Sequence, residues 1–173
     1  APRDPARSRK VGEVFKNAGF TPEYFTSLTV PSHIENKGNL PKILIIDTIG
    51  MLRGLYGVSD MAFVGGSLVP FGGHNPLEPA VHARPVLFGP HMQSFREISL
   101  SLQKAGGARV VGTAIELAEV ITRLLVLEPS KAHDMGQRAH RYYLTNQGAA
   151  HRILSKIIRQ LGDRSPESPP DTP

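Results

Sequence analysis

The chain has no cysteine, which excludes a disulfide framework and any thiolate metal site. It also lacks a run approaching the ~18 consecutive apolar residues of a membrane-spanning helix, and no signal peptide is visible. From these absences a cytosolic setting is the expectation. Neither a G-x-G-x-x-G dinucleotide fingerprint nor a Walker A loop occurs, and no internal repeat is present. Acidic residues are outnumbered, 15 against 20 Lys and Arg, which leaves a net charge of +5. That balance suits an acidic partner such as a nucleotide, an anionic lipid or a nucleic acid. It equally suits a basic surface that is merely solvated. What remains is 173 residues with a hydrophobic fraction of 40%, the size of one domain able to close a core.

Taken in order, the chain alternates between helical and strand patterns. Val11, Val14, Phe15 and Ala18 are spaced as one face of a helix over residues 6–20, with Gly19 as its stop signal. Residues 27–30 read as a short strand, and residues 31–41 as a polar connection. The run Ile43-Leu44-Ile45-Ile46 is that of a strand buried on both faces. Asp47 and Thr48 can cap a following helix through Met51, Leu52, Leu55 and Tyr56. After residues 62–88, helical periodicity covers residues 95–105, and Gly106-Gly107 precede a strand at 108–111. Thr113 with Glu116 resembles a capping box opening a helix to about residue 127. Further helices are expected over 129–146 and 149–161. The Pro-, Ser- and Asp-rich tail, residues 162–173, has the composition of a disordered segment. This alternation predicts an α/β fold, a Rossmann-like doubly wound parallel sheet over residues 1–161, with ligands at the carboxyl ends of the strands.

The stretch at 62–88 concentrates the candidate chemistry. It reads as strand, glycine-rich loop, short helix and strand, with Gly65, Gly66, Gly72 and Gly73 in the loop and Asn75-Pro76-Leu77-Glu78 opening the helix. Glycine lets a ligand approach the backbone, and a helix start behind it presents unpaired N–H groups to an anion. Asn75, Pro76 and Glu78 also form a capping pattern that needs no ligand. The four glycines favour the ligand reading, since a cap does not need a glycine-lined approach. His74 can serve as a base or phosphate donor, or simply hydrogen-bond the backbone, whereas His82 is expected to be structural. His91 follows Gly89-Pro90 and points to the same region. Arg152, Lys156 and Arg159 share a helix face that reads as solvated.

Several segments in a fixed order carry a family resemblance. They are Ala1-Pro2-Arg3-x-Pro5, Asp47-Thr48-Ile49-Gly50, Leu55 to Asp60, Phe63-Val64-Gly65-Gly66-Ser67-Leu68, Gly72-Gly73-His74-Asn75-Pro76-Leu77-Glu78, Pro85-Val86-Leu87 with Gly89-Pro90-His91, and Asn146-Gln147-Gly148-Ala149. Together the set resembles the C-terminal half of the 3-deoxy-D-manno-octulosonic acid (Kdo) transferases of lipopolysaccharide synthesis. The resemblance implies the C-terminal half of a GT-B glycosyltransferase, with two Rossmann-like domains facing across a cleft. Such enzymes move Kdo from CMP-Kdo to a lipid A precursor at the cytoplasmic face of the inner membrane, inverting the anomeric centre. No metal and no cofactor beyond the donor are implied, and no nucleic-acid partner is expected. On this resemblance the chain is expected to be a soluble fragment that is inactive alone. The acceptor site, membrane anchor and general base would lie in an N-terminal half outside it.

Carried onto this sequence, the resemblance assigns donor binding to Arg3, Ile49, Gly50, Gly72, Gly73, His74, Asn75, Glu78 and His91. Arg3 and the N–H groups at residues 72–75 suit the phosphate, Glu78 the ribose hydroxyls, and Ile49 with Gly50 the cytosine. Met51 stands where the family commonly has an acidic residue, and Asp4 and Ala6 replace the polar pair around Pro5. A UDP-sugar enzyme such as a nucleotide-sugar epimerase is the enzymatic alternative. A non-catalytic nucleotide- or nucleic-acid-binding domain is the other.

Overall fold

The structure is a computed structural model that describes residues 2, 4–28, 43–147, 155 and 157–159. The chain divides into two compact units, Ala1–Ala62 and Phe63–Pro173.

In the first unit a single 3₁₀ turn, Pro5–Arg7, leads into α1 (Ser8–Asn17). Two short strands, β1 (Glu23–Tyr24) and β2 (Leu44–Ile45), pair in parallel with Glu23 opposite Leu44 and Tyr24 opposite Ile45. The helix ends as its sequence implies: Gly19 takes φ +83° and donates to Lys16 O, while Phe20 N closes onto Phe15 O. Its packing face differs from the apolar stripe. Val14 is 63% exposed, and the buried positions are Ser8 and Gly12. A Cβ on Gly12 would overlap the Tyr24 ring and lie 3.4 Å from Ile45 Cδ1. Close approach at a small residue, rather than apolar periodicity, therefore sets which side of α1 is covered.

Two further expectations are corrected here. The strand expected at 27–30 is displaced: the pairing residues are Glu23 and Tyr24, and Phe25–Ser27 form a 3₁₀ turn. Asp47 does not cap the following helix, α2 (Leu52–Val58), which begins five residues later and beyond its reach. Its carboxylate instead accepts from Thr26 N at 3.0 Å and from the Thr26 hydroxyl. These bonds, the hydroxyl's first, hold the Asp47 carboxyl below its ordinary range.

From Ala62 onward the chain carries β3 (Ala62–Val64), α3 (Leu77–Val81), β4 (Val86–Phe88), a 3₁₀ turn at Gln93–Phe95, α4 (Arg96–Lys104), β5 (Ala108–Val110), α5 (Ala114–Thr122), a π turn at Arg123–Leu127 and α6 (Pro129–Asn146). The strands form one sheet in the order β3-β4-β5, and β4 runs parallel to β5 with Val86 opposite Ala108 and Phe88 opposite Val110. Val86, Leu87 and Phe88 are all buried. Val86 and Phe88 join Val64, Ala80, Met92, Leu102, Ala108 and Ala139 in the core. Leu87 alternates to the opposite face, so both faces of β4 are covered, as in a doubly wound sheet. Gly107 lies against the Ala139 backbone, leaving no room for a Cβ. The hydroxyl half of the capping box at α5 forms, with Glu116 N donating to Thr113 Oγ1 at 3.1 Å, while the Glu116 carboxylate accepts from Gly112 N at 2.7 Å, one residue before the cap. Mixed α/β structure with parallel strands thus agrees with the expected fold class. Of the helix expected at 149–161, only Ser155 and residues 157–159 are described, and they are helical. The tail at 162–173 lies outside the described residues.

Candidate functional site

The loops at the carboxyl ends of β3 and β4 meet through one buried residue, Ser67. Its hydroxyl donates to Val64 O at 2.5 Å and accepts from Gly89 N at 2.8 Å, and its carbonyl accepts from His91 N at 2.9 Å. A Cβ on Gly89 would overlap the Ser67 and Leu68 backbone, so glycine is what allows the two loops to touch. His91 is thereby held beside the glycine loop. In the sequence the only signal for Ser67 is a small polar residue in a glycine turn directly after a strand.

The glycine loop folds back on itself. Gly66, Gly72 and Gly73 have φ of +68°, +90° and +74°, values that side chains other than glycine rarely adopt. Gly73 N donates to Gly66 O at 2.9 Å, and Ser94 N donates to Gly72 O at 3.0 Å. The backbone at Gly72 also lies tight against the Ser94 side chain, and that at Gly73 against Met92, so neither position tolerates a Cβ in place. One consequence is that the Gly73 N–H is already committed. Among the described residues no hydrogen bond is donated by the N–H groups of His74 and Asn75.

The helix behind the loop starts at Leu77, one residue later than the capping pattern implies. Asn75 Oδ1 accepts from Leu77 N at 3.0 Å, so Asn75 does cap. With only five residues α3 has little macrodipole. Attraction for an anion would come from the individual N–H groups and not from a long helix. Glu78 is exposed and makes no hydrogen bond or ion pair among the described residues. The His74 imidazole lies over the Gly65-Gly66 backbone: a methyl group on Gly66 would stand 3.6 Å from Nε2, and one on Gly65 would stand 3.7 Å from Cδ2.

The structure therefore brings Gly72, Gly73, His74, Asn75, Glu78 and His91 into one loop system of the second unit. Ile49 and Gly50 belong to the first unit, where Ile49 is 85% exposed and Gly50 has φ +90°. Arg3 lies outside the described residues. Among the described residues no three His, Cys, Asp or Glu side chains are grouped so as to hold a metal ion, and no helix is long and apolar enough to cross a membrane.

Fold and loop system together define a Rossmann-like α/β domain with its candidate site at the carboxyl edge of a parallel sheet. No protein-family model matches the chain. It is 33% identical over 156 residues to the 3-deoxy-D-manno-octulosonic acid transferase of Haemophilus influenzae, an alignment covering 90% of this chain and 35% of that protein. It is 31% identical over 131 residues to the transferase of the same name from Aquifex aeolicus, covering 65% of this chain and 37% of that one. Among solved structures it superposes on the C-terminal CMP-Kdo binding domain of WaaA from Acinetobacter baumannii with a TM-score of 0.71 and 26% identity. That match covers 82% of this chain and 70% of the other. The chain belongs to the 3-deoxy-D-manno-octulosonic acid transferase family and corresponds to its C-terminal domain. It spans about a third of the length of these two relatives.

Proposed function

We propose that this chain is the donor-binding domain of an enzyme that transfers Kdo from CMP-Kdo to a lipid A precursor. The observation that carries the proposal is the superposition on a domain whose known ligand is CMP-Kdo, supported by identity to Kdo transferases along most of the chain. In this reading the N–H groups of His74 and Asn75 receive the donor phosphate. The Glu78 carboxylate accepts from the ribose hydroxyls. His91, fixed through Ser67, borders the phosphate side.

CMP is the leaving group, so negative charge grows on its phosphate as the glycosidic bond breaks. Donors held in place beforehand stabilise that charge more in the transition state than in the ground state. The loop is suited to this because its positive-φ glycines and its bonds to Gly66 and Ser94 fix it before any ligand arrives. Inversion, independence from metal, action at the inner-membrane face and a base supplied from a second domain complete the proposal.

Calorimetric titration of the 173-residue chain with CMP, UMP and UDP tests it. CMP is expected to bind and UDP to bind more weakly. Tight UDP binding without a CMP response would overturn the assignment in favour of a UDP-sugar enzyme.

A further inference from the structure

The glycine loop presents an aromatic ring that the donor-binding reading has not used. Phe71 is 81% exposed and Val69, two residues before it, is 48% exposed. A single exposed apolar side chain is common on soluble proteins and by itself means little. Here the backbone beneath it is braced. Phe71 N donates to Val69 O at 2.7 Å, and the next two residues are the positive-φ glycines whose bonds tie the loop to Gly66 and Ser94. A methyl group on Gly66 would lie 3.7 Å from Phe71 Cβ and 3.6 Å from His74 Nε2. The root of the phenyl ring and the imidazole thus both border the backbone at Gly66.

Position along the loop suggests what meets that ring. Phe71 Cβ and His74 Nε2 face the same spot above Gly66, so a phosphate received at His74 and Asn75 lies next to the segment that carries the ring. The part of the donor beyond the phosphate is the sugar that is transferred. We propose that Phe71 is a specificity-determining residue whose ring packs on a C–H face of that sugar. An aromatic ring suits this role because it offers a large rigid area with no hydrogen bond to satisfy, leaving the polar groups of the sugar to other partners. The inference rests on the donor-binding reading above.

The chain contains no tryptophan, so Phe71→Trp places a single indole at this position. The full chain carrying it is titrated with CMP and with CMP-Kdo while its emission is followed. Wild type and Phe71→Ala are titrated by calorimetry with the same two ligands, and circular dichroism melts verify that both variants fold. CMP is expected to bind wild type and Phe71→Ala alike. CMP-Kdo should bind the alanine variant about fivefold to tenfold more weakly, and the indole should respond to CMP-Kdo and not to CMP. Val126→Ala, which alters a side chain 70% exposed outside the loop, is expected to change neither affinity. Equal CMP-Kdo affinity in wild type and Phe71→Ala would overturn the inference while leaving the donor-binding reading standing. Equal loss of both ligands would also overturn it, by placing the ring on the nucleotide or on loop structure. If wild type binds neither ligand, the donor-binding reading has failed and this inference falls with it.

Discussion

At the residue scale the decisive contrast is between Asn75 and Glu78, which the sequence presents as one capping pattern. Asn75 spends its side-chain oxygen on Leu77 N, whereas Glu78 spends neither of its oxygens on the protein among the described residues. Asn75→Ala is therefore expected to lower stability by about 1 kcal/mol in denaturant titration. Glu78→Ala should leave the melting temperature unchanged and weaken CMP roughly tenfold or more, the scale of hydrogen bonds to a charged group. A fall in stability with intact CMP binding would return Glu78 to a structural role. Gly89 permits the contact between the two loops, and the atoms it faces are Ser67 and Leu68 backbone that cannot rotate away. Gly89→Ala is expected to cost about 1–3 kcal/mol, measured by thermal melting. From sequence, Gly89 read only as the residue after a strand, because the neighbour that requires it is 22 positions away.

At the scale of elements, local signals were legible where partners lie within a few residues. Thr113 caps α5 through Glu116 N, and Thr113→Ala is expected to cost about 1 kcal/mol in a denaturant melt. α6 spans 129–146 as its pattern implies, opened by Pro129 in the first turn. The reading failed where a distant partner won. Asp47 is drawn to Thr26, 21 residues back, rather than to the helix ahead of it. The covered face of α1 follows Gly12 and Tyr24 rather than Val14 and Ala18, because the Tyr24 side chain lies where a Cβ on Gly12 would stand.

At the scale of the whole molecule, the Asp47–Thr26 link makes stability depend on acid. Its native carboxyl lies below the ordinary value of about 3.9. The stabilisation is therefore fully present above that value and lost as pH falls through the lower native one. Glu128, held down by its bonds to Arg123 and then Lys131, acts in the same direction. Thermal melts from about pH 5 to 3 should show a shallower fall for Asp47→Asn than for wild type; parallel falls would remove Asp47 as a contributor. Alternation of apolar strands with capped helices was enough to imply a parallel α/β sheet, since those periodicities follow from side-chain geometry within each segment. The ordered motifs likewise sufficed to imply the family. That the Gly73 N–H is committed to Gly66, that Ser67 ties two loops together, and that Phe71 stands outward on a braced turn were settled by the fold. Each depends on atoms brought together by packing, and no local pattern along the chain encodes that proximity.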